Sequence, residues 1–267
     1  MQEFKLDPRL LRTLLTAKEF GSRIHFTDTI DSTNNKAKKL ANEGAAHGTL
    51  VIAKNQVKGK GRFDREWLSP EGGLWFSVIL RPPAVDPQPL TVIFGAAISM
   101  IIESQISVPC RFHWTNDLYI NEKKVGGILM ESRYSGENLD YIVAGVGINL
   151  NFPAHELGYE FPIPPTTILD ERGEPTAPTA LLAGILNRLE KDYNQFLENG
   201  PTDIIKKYKN RCITLGRRVK IINSGQIREA DGYALDIADD GGLLVELFSG
   251  AQGVLYNAER LILMEKY

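Results

Sequence analysis

The chain has 267 residues, 43% apolar and 24% charged, ordinary values for a folded globular protein that exclude a disordered or collagen-like chain. Lys and Arg total 31 against 33 Asp and Glu, a net charge of −2. No global field therefore draws the protein onto DNA or an anionic membrane, and any basic function must come from a local patch.

Asp7-Pro8 predicts a helix start, with Asp7 as N-cap and Leu10, Leu11, Leu14 and Leu15 on its apolar side. Ile24 and Phe26 alternate with polar residues as in a strand. Asp31-Ser32-Thr33 leads into a helix carrying Ala37, Leu40 and Ala41, and Ser32 or Thr33 is placed to cap it. Leu50 to Ala53 reads as a strand, Gln56 to about Gly73 as a glycine-rich basic loop, and Leu74 to Leu80 as a strand ended by Pro82-Pro83. Thr91 to Glu103 is a helix apolar nearly all round, which belongs inside a structure. Phe112 and Trp114 read as a strand. Leu118 to Ile120 and Val125 to Met130 flank Asn121 to Lys124 as a hairpin. Tyr141 to Leu150 is an apolar strand, and Pro153 to Pro178 an ordered loop with short helical pieces. Ala180 to Glu198 and Thr202 to Arg211 are helical. Beyond Leu215-Gly216 the pattern changes to short strands (Val219 to Ile221, Ile227 to Leu235, Leu243 to Leu247, Gly253 to Tyr256). Turns at Ser224-Gly225 and Asp240-Gly241-Gly242 join them, as in a small barrel. There is no internal repeat. The expected division is a domain of residues 1–214 and a smaller one of 215–267.

Cys110 and Cys212 lack metal-ligand spacing and read as reduced, packed side chains of a cytoplasmic protein. The first residues show no basic-then-apolar leader. No apolar run approaches the roughly 20 residues that cross a bilayer.

Three segments carry chemistry. In Lys58-Gly59-Lys60-Gly61-Arg62-Phe63-Asp64-Arg65-Glu66-Trp67, glycines let backbone amides approach an anion while Lys60, Arg62 and Arg65 supply charge. The spacing is neither a Walker loop nor a dinucleotide fingerprint, and a solvated basic loop has the same composition. In Trp114 to Ile128, an Asn116-Asp117 pair and Lys124 before Gly126-Gly127 fit either a phosphate contact or a turn with an exposed hairpin lysine. In Ile30 to Asn34, a hydroxyl at a helix start can cap the helix, face a ligand, or do both.

Together these segments resemble one family, the biotin protein ligases. Asp31-Ser32-Thr33-Asn34, Gln56 with Gly59-Lys60-Gly61-Arg62 through Arg65 and Trp67, Trp114 with Asn116-Asp117, Lys124 with Gly126-Gly127-Ile128-Leu129, and Gly145 with Gly147-Ile148-Asn149 follow that family's order and spacing. The resemblance is strong from about Gly21 to Pro153 and weaker to the C-terminus. It implies an α+β fold: a mixed β-sheet backed by helices, like a class II synthetase, with a small C-terminal SH3-like β-barrel. It implies that Ser32, Thr33, Asn34 and Gln56 hold biotin's polar ring. Lys60, Gly61 and Arg62 would fold over the biotin carboxylate and the phosphates, and Lys124 would contact both groups. Arg65, Trp67 and Asn116 would lie near the adenylate, with the Gly127 and Gly145 backbone against the ligand.

The implied chemistry is activation of biotin by ATP, then transfer to a lysine of a biotin carboxyl carrier protein. Lys124 and Arg62 would stabilise charge, and Asp117 would orient or deprotonate the acceptor lysine. Mg²⁺ would arrive with ATP rather than on protein side chains alone. Four positions depart from the family pattern: Lys60 stands where arginine is usual, Asp64 where glycine is, His113 where lysine is, and Thr115 where proline is. A lipoate or octanoate ligase is the first alternative. A biotin-responsive repressor or a biotin-binding adaptor is the second, although the roughly 20 residues before the first strand are too few for a winged DNA-binding domain. No DNA and no membrane partner is expected, and a homodimer through sheet edges is plausible for this family.

Overall fold

The computed structural model describes residues 5–83, 86–158, 163–222 and 229–264. Two strands pair in parallel at one edge of the larger sheet, β1 (Ile24–Ile30) and β2 (Leu50–Gln56). Across from them come β3 (Leu74–Leu80), β7 (Asn138–Ile148), β6 (Lys123–Ser135), β5 (Asp117–Ile120) and β4 (Cys110–His113), each antiparallel to its neighbour. This is the expected mixed sheet. β3 keeps the predicted bounds because all of its side chains are buried.

Successive strand residues face opposite sides, and the two sides differ here. Ile142, Ala144, Val146 and Ile148 of β7 join the main core with α3 (Leu90–Ile106) and α5 (Pro178–Asn199). Burying such apolar side chains is worth about 1.5–3 kcal/mol each. α3 has almost no polar stripe and is buried along most of its length, as its sequence requires. On the opposite side, Val51, Ile79, Tyr141 and Val143 pack under α2 (Thr33–Asn42) through Ala37 and Ala41. α2 covers only part of that face, and the uncovered remainder holds the cavity described below.

Several expectations need correction. In α1 (Pro8–Leu14), Asp7 caps Arg9 and Leu10 as predicted, but Leu11 alone is buried while Leu10 and Leu14 face solvent. Ser32 occupies the N-cap of α2 yet makes no side-chain capping bond. Trp114 lies just beyond β4, buried in the junction with the second sheet, where its Nε1–H donates to Gly241 O at 3.0 Å and its N–H to Thr214 Oγ1 at 2.9 Å. β6 and β7 extend further than expected because their polar ends, from Glu131 to Asp140, are held by the backbone ladder rather than by burial.

The segment after Pro153 contains a 3₁₀ turn (Ala154–Leu157) and α4 (Ile168–Arg172), and α6 (Thr202–Tyr208) follows α5. The second sheet runs β11 (Gln252–Leu255), β10 (Leu243–Leu247), β9 (Glu229–Ile237), β8 (Arg218–Ile222), β12 (Arg260–Leu263), antiparallel throughout. It is consistent with the SH3-like region expected. The turn at Ser224-Gly225 lies outside the described residues, and β12 was not foreseen. No helix of the described residues is long and apolar enough to cross a membrane.

Candidate active site

On the side of β7 away from the main core, alternation brings Val143, then Gly145, then Gly147 to the surface. The missing side chains leave a hollow, and neighbouring residues enter it. A Cβ on Gly145 would lie 2.0 Å from Asn34 Oδ1, and one on Gly147 would lie 2.6 Å from Trp67 Nε1. Both glycines are therefore required for close approach. Gly145 makes room for the Asn34 side chain. The resulting cavity has a volume of about 320 Å³. Ser32, Thr33, Asn34, Gln56, Lys60, Gly61, Arg62, Arg65, Trp67, Asn116, Asp117, Lys124, Gly127 and Gly145 all line it. The sequence distributes them over five separate stretches.

One end is a buried polar cluster. Gln56 Oε1 accepts from the Thr33 N–H at 2.7 Å and the Thr33 hydroxyl at 3.1 Å, while Gln56 Nε2 donates to Ser69 Oγ at 2.8 Å. Thr33 thus serves the cavity rather than a helix cap. Asn34 Nδ2 donates to Glu131 Oε2 at 2.9 Å, and its Oδ1 accepts from Ser77 Oγ at 2.6 Å. Ser77 was not singled out from the sequence, although one polar residue inside the fully buried β3 is a usable signal.

The basic loop forms a tight hairpin, with the Gly61 N–H donating to Arg65 O at 2.7 Å and the Trp67 N–H to Gly59 O at 3.0 Å. Its tip places Phe63 at φ 57° and Asp64 at φ 55°, left-handed conformations that L residues adopt at a cost. Arg62 points inward. Its Nη1 donates to Thr115 Oγ1 at 2.7 Å and Asn116 Oδ1 at 2.9 Å, and its Nη2 donates to Ala258 O at 3.1 Å and to Asn257 Oδ1. Burial lowers its pKa, with Asp117 opposing and Arg65 adding to the shift, but a guanidinium starts high enough to remain charged. Arg65 donates to Glu259 O at 2.9 Å. The loop thus rests on the segment leading into β12, and residues 258–262 line the cavity as well. Nothing in the sequence pattern foretold that wall, because the residues lie beyond every recognised motif.

At the centre, Lys124 Nζ lies 2.8 Å from Asp117 Oδ1 and 5.2 Å from the centre of the Trp67 ring. The β5–β6 register brings the lysine and the carboxylate together, and the backbone of Lys124 is held on both sides by Pro164 and Thr166. Trp67 stacks where Gly147 leaves space, with its Nε1 buried and without a hydrogen-bond partner among the described residues. His113 is 4% exposed and stacks on Tyr119 at 5.3 Å. Burial pulls it down to about 4, with Asp117 opposing and Lys124 and Arg217 reinforcing the shift. It is thus neutral at physiological pH, and the cation that the related motif carries there is gone. Burial pushes the Cys110 thiol up to about 12 and raises that of Cys212, in keeping with packed, unreactive cysteines. Among the described residues no group of three or more His, Cys, Asp and Glu is gathered as metal ligands.

The arrangement can hold a neutral, polar head group at the Thr33–Asn34–Gln56 end. It can place anions between Lys60, Arg62, Arg65 and Lys124, and a planar ring against Trp67. Residues 26–149 match the family model of the Biotin/lipoate A/B protein ligase family. The bifunctional ligase/repressor BirA of Bacillus spizizenii is 32% identical over 260 residues, covering 96% of this chain and 78% of that protein. The biotin–[acetyl-CoA-carboxylase] ligase of Paracoccus denitrificans is 30% identical over 230 residues, covering 83% of this chain and 93% of that protein. A solved biotin protein ligase from Aquifex aeolicus, in complex with biotin and ATP, is 28% identical with a TM-score of 0.76, covering 91% of this chain and 99% of that one.

Proposed function

The chain belongs to the biotin protein ligases of the biotin/lipoate A/B protein ligase family, and from that premise we propose that it activates biotin with ATP and transfers it to one lysine of a biotin carboxyl carrier domain. The observation that carries the reading is the cavity itself. A hydrogen-bonding end, a group of cations and an indole line one cavity over a glycine floor.

The first step joins two anions. A biotin carboxylate oxygen attacks the α-phosphorus of ATP, the bond to the β-phosphate oxygen breaks, and pyrophosphate leaves. Mutual repulsion of the reactants sets much of the barrier, so positive charge between them is worth most. Lys124, held at one point by Asp117 and Trp67, suits that place, and Arg62, Lys60 and Arg65 surround the phosphates. Trp67 and Asn116 would hold the nucleoside part. Mg²⁺ bound to the triphosphate would neutralise further phosphate charge.

In the second step the acceptor lysine's free amine attacks the acyl carbon and AMP leaves. Asp117 is engaged with Lys124 at 2.8 Å. Its first task in this reading is to orient Lys124, and serving the acceptor requires that pair to open. The Thr33, Asn34, Gln56 and Ser77 cluster favours biotin over lipoate, since a urea ring offers hydrogen bonds and a dithiolane offers none.

We assign residues 1–214 to catalysis and 215–267 to an SH3-like domain that closes the cavity, and we place the protein in the cytoplasm. The carrier is that of a biotin-dependent carboxylase, such as the acetyl-CoA carboxylase named for relatives. With a net charge of −2 we expect no sequence-specific DNA binding. Because β1 ends the sheet, a homodimer through that edge is the assembly to test by sedimentation. Incubation with ATP, a carrier domain and either biotin or lipoate tests the function. A biotin mass on one carrier lysine, with no lipoyl product, is expected. Lipoyl transfer, or no transfer of either acid, overturns the reading.

A further inference from the structure

We propose that Thr115 is a positioning residue that holds Arg62 against the cavity wall and so sets how long the activated intermediate is retained. A guanidinium has five N–H donors in a rigid plane and no acceptor. Here Nη1 donates to Thr115 Oγ1 at 2.7 Å and Asn116 Oδ1 at 2.9 Å. Nη2 donates to Ala258 O at 3.1 Å and to Asn257 Oδ1. Those bonds engage both η nitrogens, and Nε–H makes none among the described residues. Arg62 therefore spans from the β4–β5 turn to the segment before β12, and it carries the basic loop with it.

The polarity of the cluster is consistent at every atom. Asn116 Nδ2 donates to Ile128 O at 3.0 Å, which fixes its amide and turns Oδ1 toward Arg62. The Thr115 hydroxyl donates to that same Oδ1 at 3.3 Å, so the lone pairs of Thr115 Oγ1 face Nη1. In the motif that the chain resembles, position 115 is proline, which offers a guanidinium no side-chain acceptor. The hydroxyl is an addition of this sequence. A hydrogen bond to a charged donor gives it leverage on the loop beyond that of a neutral contact.

The inference rests on the proposed ligase activity, and its test separates the two. Release of biotinyl-adenylate is followed from wild type, Thr115→Val, Thr115→Ser, Arg62→Gly and the Thr115→Val/Arg62→Gly pair, with thermal melts to confirm folding. We expect release about tenfold faster for Thr115→Val and close to wild type for Thr115→Ser, as loss and retention of one charge-assisted bond imply. In the Arg62→Gly background, Thr115→Val should change nothing further. A Thr115→Val rate equal to wild type, or an undiminished effect in the Arg62→Gly background, overturns the proposal.

A second readout needs no ligand. In the free protein the Arg62 Nη1–H resonances should exchange faster in Thr115→Val than in wild type and Thr115→Ser. If wild type makes no adenylate, the ligase reading fails, and this measurement still decides whether Thr115 anchors Arg62. Equal exchange in all three overturns it.

Discussion

A single methyl group placed at each of two glycines should separate the two ends of the cavity. In Gly145→Ala the new Cβ would lie 2.0 Å from Asn34 Oδ1. The obstacle is the far end of a side chain rather than backbone, so the fold survives and the amide moves. Moving it breaks the 2.6 Å bond with Ser77 and the 2.9 Å bond with Glu131. At about 0.5–1.5 kcal/mol for each neutral bond and more for the charged one, the cost is about 2–3 kcal/mol, or roughly 30- to 150-fold in biotin KM. ATP KM should change by less than about threefold, since Asn34 lies outside the cationic region. In Gly147→Ala the Cβ would lie 2.6 Å from Trp67 Nε1 and 2.9 Å from Trp67 Cε2. It displaces the indole and with it the partner of Lys124. There the ATP KM should rise and the biotin KM should change least. Steady-state pyrophosphate exchange, varying one substrate at a time, reads both. A folded Gly145→Ala enzyme with unchanged biotin KM, or the same shift in both constants for both variants, would refute the assignment of ends.

Other consequences follow from the loop and from His113. Arg62→Gly removes a cation that bridges the β4–β5 turn and the segment before β12. Biotinyl-adenylate should then escape roughly 10- to 150-fold faster, from about 1.5–3 kcal/mol for one charged contact, and label bystander lysines. Asp64→Gly should slow escape, because glycine accepts the φ of 55° at residue 64 without strain; a faster release than wild type would contradict this. His113 titrates near 4 in the fold against an ordinary 6.5. As pH falls, the unfolded chain takes up a proton that the folded chain refuses. Stability is therefore full above 6.5 and drains between 6.5 and 4, by about 3 kcal/mol at most. Denaturant melts of His113→Gln should show a shallower loss over that window than wild type, and parallel curves would place the titration elsewhere.

The larger sheet was legible where a strand is buried on both faces and announces itself as an apolar run, as Leu74 to Leu80 does. The cavity residues were legible because unusual pairings, such as glycine beside cation or Asn-Asp between apolar strands, have few purely structural uses. What escaped was set by tertiary contact. Ser77 looks like an ordinary strand serine until Thr33 and Asn34 meet it. The cavity wall at residues 258–262 depends on how the second sheet docks through Trp114, Thr214 and Gly241. The polar ends of β6 and β7 had no periodicity to read, since hydrogen bonds hold them. The helix-start hydroxyls invited a capping interpretation, but Ser32 makes no side-chain cap and Thr33 bonds Gln56 and Ser77.

In the proposed first step the cations around Trp67 drive attack of a biotin carboxylate on ATP, with Lys124 at the point of contact, 2.8 Å from Asp117 and 5.2 Å from the indole. Exchange of labelled pyrophosphate into ATP, measured with and without biotin for wild type and Lys124→Ala, tests it most directly. Wild type should exchange only when biotin is present, and Lys124→Ala should fall by at least about 100-fold while melting near the wild-type temperature. Exchange without biotin, or a folded Lys124→Ala protein that exchanges at the wild-type rate, would contradict this role of the cations.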